Sequence, residues 1–139
     1  MNKIEDEVLV RELGKLVGFF AGFGVRAAAR TLPTEEYETT LELKANTEAA
    51  TALVTRTLQS IGKLSNDFSS SNQASTISAI VGSGQMNLNP TIVHVTLNEL
   101  SEDSCRVSIR GLAKEGLIKQ QSAIKAVERT QQLLIKGDA

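Results

Sequence analysis

Few residues in this chain can carry chemistry. There is one histidine, His94, and one cysteine, Cys105. A lone imidazole can act as a general base or a single ligand. His-rich metal sites and any triad that needs a second imidazole are excluded. A single thiol likewise excludes an internal disulfide framework and a cysteine-based zinc cluster. Cys105 alternates in step with Val107 and Ile109, which places it on an apolar side. A thiol is inert there, since reactive cysteines need an exposed, electropositive setting. Arg106, Arg110 and Lys114 recur every four residues as a basic row along one strand and past its end. Such a row suits phosphates or an acidic partner. Single-strand nucleic-acid binders add aromatic stacking platforms on the same face. Here the one tyrosine is Tyr37, and the four phenylalanines stand at 19, 20, 23 and 68. With a net charge of −1, the chain is not expected to bind nucleic acid.

His94 is expected to face Arg110 across two strands, and a neighbouring cation keeps an imidazole neutral. Asn87 and Asn89 follow Gly82-Ser83-Gly84. A phosphate cradle needs a glycine turn that opens into a helix, whereas a strand follows here and no Gly-Lys-Ser/Thr is present. A hairpin loop is the reading, with both asparagines as binding candidates because loops often carry function. Glu35-Glu36 reads as a solvated lead-in and Glu102-Asp103 as a turn. No metalloprotease, nucleophile-elbow, calcium-loop or zinc spacing occurs. The expectation is a non-enzyme without metal or cofactor. Its candidate binding residues are His94, Arg106, Arg110, Lys114, Asn87 and Asn89.

These residues need a scaffold, and the hydrophobic periods supply one. Tyr37, Thr39, Leu41, Leu43 and Ala45 alternate with Glu38, Thr40, Glu42 and Lys44, as in a half-buried strand. Asn46 or Thr47 can cap a helix to about Ile61 that buries Ala50, Leu53, Val54, Leu58 and Ile61. Gly62 is expected to end it in a left-handed conformation. Residues 64–68 form a weak strand and 75–81 a clearer one with Ile77, Ala79 and Val81 inward. Residues 91–100 and 104–112 make the clearest pair. For Val93, Val95 and Leu97 to share a core with Cys105, Val107 and Ile109, odd positions must oppose odd ones. Val95 then opposes Ile109, Leu97 opposes Val107, His94 opposes Arg110, Thr96 opposes Ser108 and Asn98 opposes Arg106. This parity calls for an odd loop, Ser101-Glu102-Asp103. A last helix over about 120–136 turns Ile124, Val127 and Leu134 inward, and Gly137 ends it.

The leading segment differs from the rest. Leu9, Leu13, Leu16, Val17 and Phe20 follow a helical period, with acids in the first turn where they suit the helix dipole. Residues 16–25 then carry no charge, and Gly14, Gly18 and Gly22 repeat every four residues. Ten apolar residues fall short of the roughly 20 that a spanning helix needs. Acids at 5–7 stand where a secretory signal would be basic. Leu16, Phe19, Phe20 and Phe23 form a concentrated apolar surface. It must be buried on the chain's own sheet, on a second copy or in a membrane surface.

Length and charge close the frame. A chain of 139 residues with 41% hydrophobic and 22% charged residues is one globular domain. Residues 35–105 carry three Lys/Arg against nine Asp/Glu, and 106–139 carry seven against three. The two regions can complement each other in the fold.

Arg110-Gly111, the junction Lys114-Glu115-Gly116-Leu117-Ile118-Lys119-Gln120 and the Ala-Ile-Lys-Ala-Val-Glu after it resemble small bacterial α/β domains of unassigned function. The resemblance spans about residues 37–136. It implies a β-α-β-β-β-β-α order and no activity. The strand-first, long-helix-last order is similar also to the helix-grip fold of START-like ligand carriers, which enclose a cavity with more strands than this chain offers.

The resulting expectation is a two-layer α+β domain over 35–139. A mainly antiparallel sheet carries helices on one face, and residues 1–34 form an amphipathic helix and a glycine-rich linker. The bare sheet face with His94, Arg106 and Arg110 is the expected contact surface. The expected function is a cytoplasmic, non-catalytic binding module. It self-associates or attaches to a larger protein through its first helix, with a peripheral place at a membrane as the other outlet for residues 16–25. The alternative is a carrier of a small apolar or anionic ligand, of helix-grip type.

Overall fold

The period-two segments pair into one antiparallel sheet. The computed structural model describes residues 2–17, 32–68, 75–83, 89–115 and 121–138. In chain order the elements are α1 (Lys3–Val17), β1 (Thr34–Leu43), α2 (Thr47–Ile61), β2 (Gly62–Leu64), β3 (Thr76–Ser83), β4 (Asn89–Ser101), β5 (Ser104–Lys114) and α3 (Ser122–Asp138). The strands lie in the order β1-β5-β4-β3-β2. The α+β class and the order after the leading helix are as the sequence predicts.

Register follows hydrophobic parity. Val95 opposes Ile109, Leu97 opposes Val107 and His94 opposes Arg110, as expected. Parity is achieved by another device than an odd loop. The turn is the two residues Glu102-Asp103, and a β-bulge between Glu99 and Ser101 adds the extra residue within β4. A bulge places two residues against one and so changes which face the following positions occupy.

Asn46 caps α2, its side chain accepting from the Ala49 N–H at 2.7 Å. The end of α2 departs from expectation. Gly62 is extended, with φ −169°, because it is already the first residue of β2 and pairs with Val81. The space a side chain would fill there is taken by the Ile80 carbonyl.

Helices α2 and α3 cover the odd-position face. Leu43, Val54, Leu58, Val93, Val95, Ile109, Val127 and Leu134 are wholly shielded from solvent there. Each such side chain contributes about 1.5–3 kcal/mol relative to exposure. Thr130 joins the inner stripe of α3 with its hydroxyl on the Ala126 carbonyl, while Ile124 is half-buried. Gly137 lies inside the helix, which runs on to Asp138. Close seating of α3 explains Gly111: a Cβ there would stand 2.7 Å from the Val127 methyl.

The opposite face is not bare, and this corrects the sequence expectation. Val8 and Leu9 of α1 pack on Ile92 of β4 and Leu112 of β5, with Phe68 and Ile80 beside them. Those three strand residues occupy even positions among the polar ones. They form an apolar patch that an alternation argument assigns to solvent. Of the three destinations considered for the first helix, its described part takes the chain's own sheet. The expected association surface of Leu16, Phe19, Phe20 and Phe23 lies, in its side chains, outside the described residues.

Candidate functional site

Where α1 meets the polar face, three side chains from three elements form a chain of hydrogen bonds. The first is Glu5, only 1% exposed. Its backbone N–H donates to the Asn2 side-chain oxygen at 2.8 Å, and its Oε1 accepts from the Asn2 N–H at 3.0 Å. This reciprocal capping satisfies the orphan donors at the start of α1. The other oxygen, Oε2, faces the sheet. It lies 2.7 Å from His94 Nε2 and accepts from Arg110 Nη1 at 3.1 Å. On its far side, His94 Nδ1 lies 2.6 Å from Ser78 Oγ. Sheet register brings these together, since Ser78 opposes His94 and His94 opposes Arg110. The Phe68 ring meets the imidazole edge-on, with centroids 4.9 Å apart.

Burial pushes the His94 pKa below its ordinary value of 6.5. The Glu5 carboxylate opposes that shift, and the Arg110 cation adds to it. The ring is therefore neutral at neutral pH. Glu5 Oε2, already the acceptor for Arg110, accepts from Nε2–H as well, which leaves Nδ1 to accept from the Ser78 hydroxyl.

These side chains open onto a groove of about 670 Å³ on the same face. Ser78, His94, Thr96, Ser108 and Arg110 form its floor. Asn2 and Glu5 stand on one rim, and Ser65, Asp67 and Phe68 on the other. Glu5, Glu38 and Asp67 outnumber Arg110 around it. Arg11 of α1 pairs with Asp67 at 2.9 Å, which ties the two rims and holds the Asp67 carboxyl below its ordinary pKa.

The basic row is present but occupied. Arg106 lies 3.8 Å from Glu42 on the exposed surface. Arg110 is shared by Glu5 and Glu36, and its bond to Glu36 lowers that carboxyl's pKa. Lys114, only 4% exposed, pairs with Asp6 and donates to the Leu32 carbonyl. Acids of β1 and α1 thus take the places an external phosphate or acidic partner would fill. Asn89 is fastened as well. Its Nδ2 donates to the Lys114 carbonyl at 3.0 Å and to Ser122 Oγ at 2.7 Å, joining strand ends to the start of α3. Asn87 lies outside the described residues. Cys105 is buried, with its sulfur 3.7 Å from the Thr47 hydroxyl.

Of the six candidates, His94 and Arg110 meet in the groove, while Arg106, Lys114 and Asn89 do not line it. Sequence reasoning missed Glu5, Ser78 and Phe68. A signal existed for the first, since Asn2 and Glu5 have capping-box spacing. Ser78 alternates to the same side as Thr76, but linking it to His94 requires the β3–β4 register. Among the described residues no group of His, Cys, Asp and Glu is arranged to hold a metal, and no helix is long and apolar enough to cross a membrane.

No protein-family description and no curated protein matches the chain by sequence. Solved structures give faint likenesses. A point mutant of Thalictrum flavum norcoclaurine synthase, in complex with a transition-state analogue, is 9% identical with a TM-score of 0.42, over 78% of this chain and 99% of that one. A START superfamily protein of Mycobacterium smegmatis is 10% identical with a TM-score of 0.42, over 74% and 96%. The Zhui aromatase/cyclase of a Streptomyces species is 10% identical with a TM-score of 0.36, over 75% and 86%.

Proposed function

We propose that the chain is a small-ligand-binding domain whose site is the groove between α1 and the polar face of the sheet. One observation carries this reading: a 670 Å³ groove lined by a shielded, fully connected Glu5–His94–Ser78 chain. Ligand sites combine a concave shape with a few convergent polar groups. The site differs from a helix-grip interior. Among the described residues, the space between α2, α3 and the sheet is filled by side chains shielded from solvent, so the carrier expectation changes its location, and its anionic option gives way to neutral or cationic ligands. Excess carboxylate around the groove selects against anions and favours neutral or cationic molecules. Phe68 and Ile4 offer apolar surface beside the polar floor, while Leu64 and Ile77 pack against the core on the other face.

A charge series on one ring tests this. Phenylacetamide, 2-phenylethylammonium and phenylacetate are titrated into the full chain and followed by amide and side-chain NMR. Shifts at Phe68, His94 and Thr96 with the neutral and cationic probes, and weaker ones with the anion, are expected. Perturbation centred on Leu58 and Val127, or none at all, overturns the reading.

A further inference from the structure

We infer that Ser78 is an activated nucleophile and that the groove transfers the acyl group of neutral or cationic esters onto it. The inference rests on the groove being a ligand site and adds chemistry to it. Its observation is the order of atoms: Ser78 Oγ at 2.6 Å from His94 Nδ1, and His94 Nε2 at 2.7 Å from Glu5 Oε2. A hydroxyl, a base within hydrogen-bond reach and a buried carboxylate orienting that base are the three roles of nucleophilic acyl transfer. They come from β3, β4 and α1, so no linear motif announces them. The tautomer is the productive one, since Glu5 holds the proton on Nε2 and leaves Nδ1 to receive another.

The step balances without any group beyond substrate and water. Ser78 Oγ bonds to the ester carbonyl carbon while its proton passes to His94 Nδ1. The carbon–alkoxy bond breaks, and the leaving oxygen takes that proton and departs as an alcohol. Water then adds to the acyl-serine, giving a proton to Nδ1. The carbon–Oγ bond breaks, Ser78 recovers the proton and a carboxylic acid leaves. While Nδ1 is protonated, the imidazolium lies between Ser78 and the Glu5 carboxylate, which offsets its charge. Thr96 of the neighbouring strand lies on the same floor, its hydroxyl 3.0 Å from that of Thr76, and is a group of the kind a developing oxyanion needs. Glu5 touches no reacting atom and is a positioning residue. The carboxylate-rich rim disfavours acidic esters, and Phe68 offers its ring to an aryl or short acyl group.

The probe is p-nitrophenyl acetate with the intact chain. Release of p-nitrophenol is expected to be roughly 10²-fold or more above that of Ser78→Ala, in the range a positioned base contributes. Peptide mass spectrometry of the quenched reaction should find one acetyl group on Ser78. Equal rates for the two proteins, or acetyl groups only on lysines, overturn the inference. Glu5→Gln should move the acid limb of the pH–rate profile to lower pH, because the imidazolium loses its carboxylate. A Glu5 that merely holds α1 in place would scale the rate without moving that limb, and this outcome refutes the positioning role. 2-Phenylethylammonium titration of Ser78→Ala separates the two readings. Groove shifts in that variant, with no acetyl group on Ser78 of the unsubstituted chain, remove the chemistry and leave the binding site; absence of both removes the site.

Discussion

The two faces of the sheet are built on different physics. Beneath α2 and α3, burial is apolar and non-directional, so any register that keeps odd positions together satisfies it. Beneath α1, a small apolar patch at Ile92 and Leu112 is combined with directed bonds at Glu5, Asp6, His94, Arg110 and Lys114. Buried polar groups are costly unless each finds its partner, so the second face tolerates few arrangements. The first face holds the domain together, and the second shapes a groove.

The sharpest way to break this comparison is to cut the same side chain on each face. Leu58→Ala should cost about 2–5 kcal/mol in global unfolding by chemical denaturation, since Leu58 is wholly shielded and its surroundings can close the gap only in part. Leu9 is equally shielded, yet Leu9→Ala should leave the global midpoint nearly in place. Its loss is limited by what it takes to lift α1, a local opening that hydrogen exchange in residues 3–17 would report. Equal global losses would mean that α1 belongs to the same cooperative core.

Acidification probes the polar face more gently. His94 is met by Glu5 from α1, Ser78 from β3, Arg110 from β5 and the Phe68 ring, with Glu36 of β1 close by. Its folded pKa lies below the ordinary 6.5. The neutral ring's contribution is therefore complete above 6.5 and is lost as pH falls from there toward the folded value. Glu36 and Asp67, held below 4.5 and 3.8 by their arginine partners, lose their contributions only at more acidic pH. Denaturation midpoints should thus drop in a first step that His94→Gln flattens. An unchanged step in that variant would reassign the titration.

The smallest effect is expected where the basic row reaches open solvent. Arg106→Ala breaks a pair whose side chains are 52% and 63% exposed. It should move stability by less than about 0.5 kcal/mol. A larger loss would show that the outer row matters as much as the inner one.

The same contrast decides what a reader of the sequence can see. Val93, Val95, Leu97, Val107 and Ile109 announce strands, faces and register because a period of two is local. The bulge near Leu100 escaped because parity can be met by an odd loop or by an extra strand residue, and the sequence satisfies both. Ile92 and Leu112 escaped because isolated apolar residues at polar positions are common on surfaces. His94 and Arg110 were found as neighbours, which register alone supplies. Their real partners were not found: Glu5 lies 89 positions before His94 in the chain, and nothing local pairs them.

Glu5 also ties secondary structure to tertiary structure. One of its oxygens begins α1 and the other fastens that helix to the sheet, so fraying of the first turn and release of the imidazole are a single event. The groove's wall is consequently either standing or gone. Amides at the tip of α1 should exchange with solvent on the same clock as the ring proton of His94.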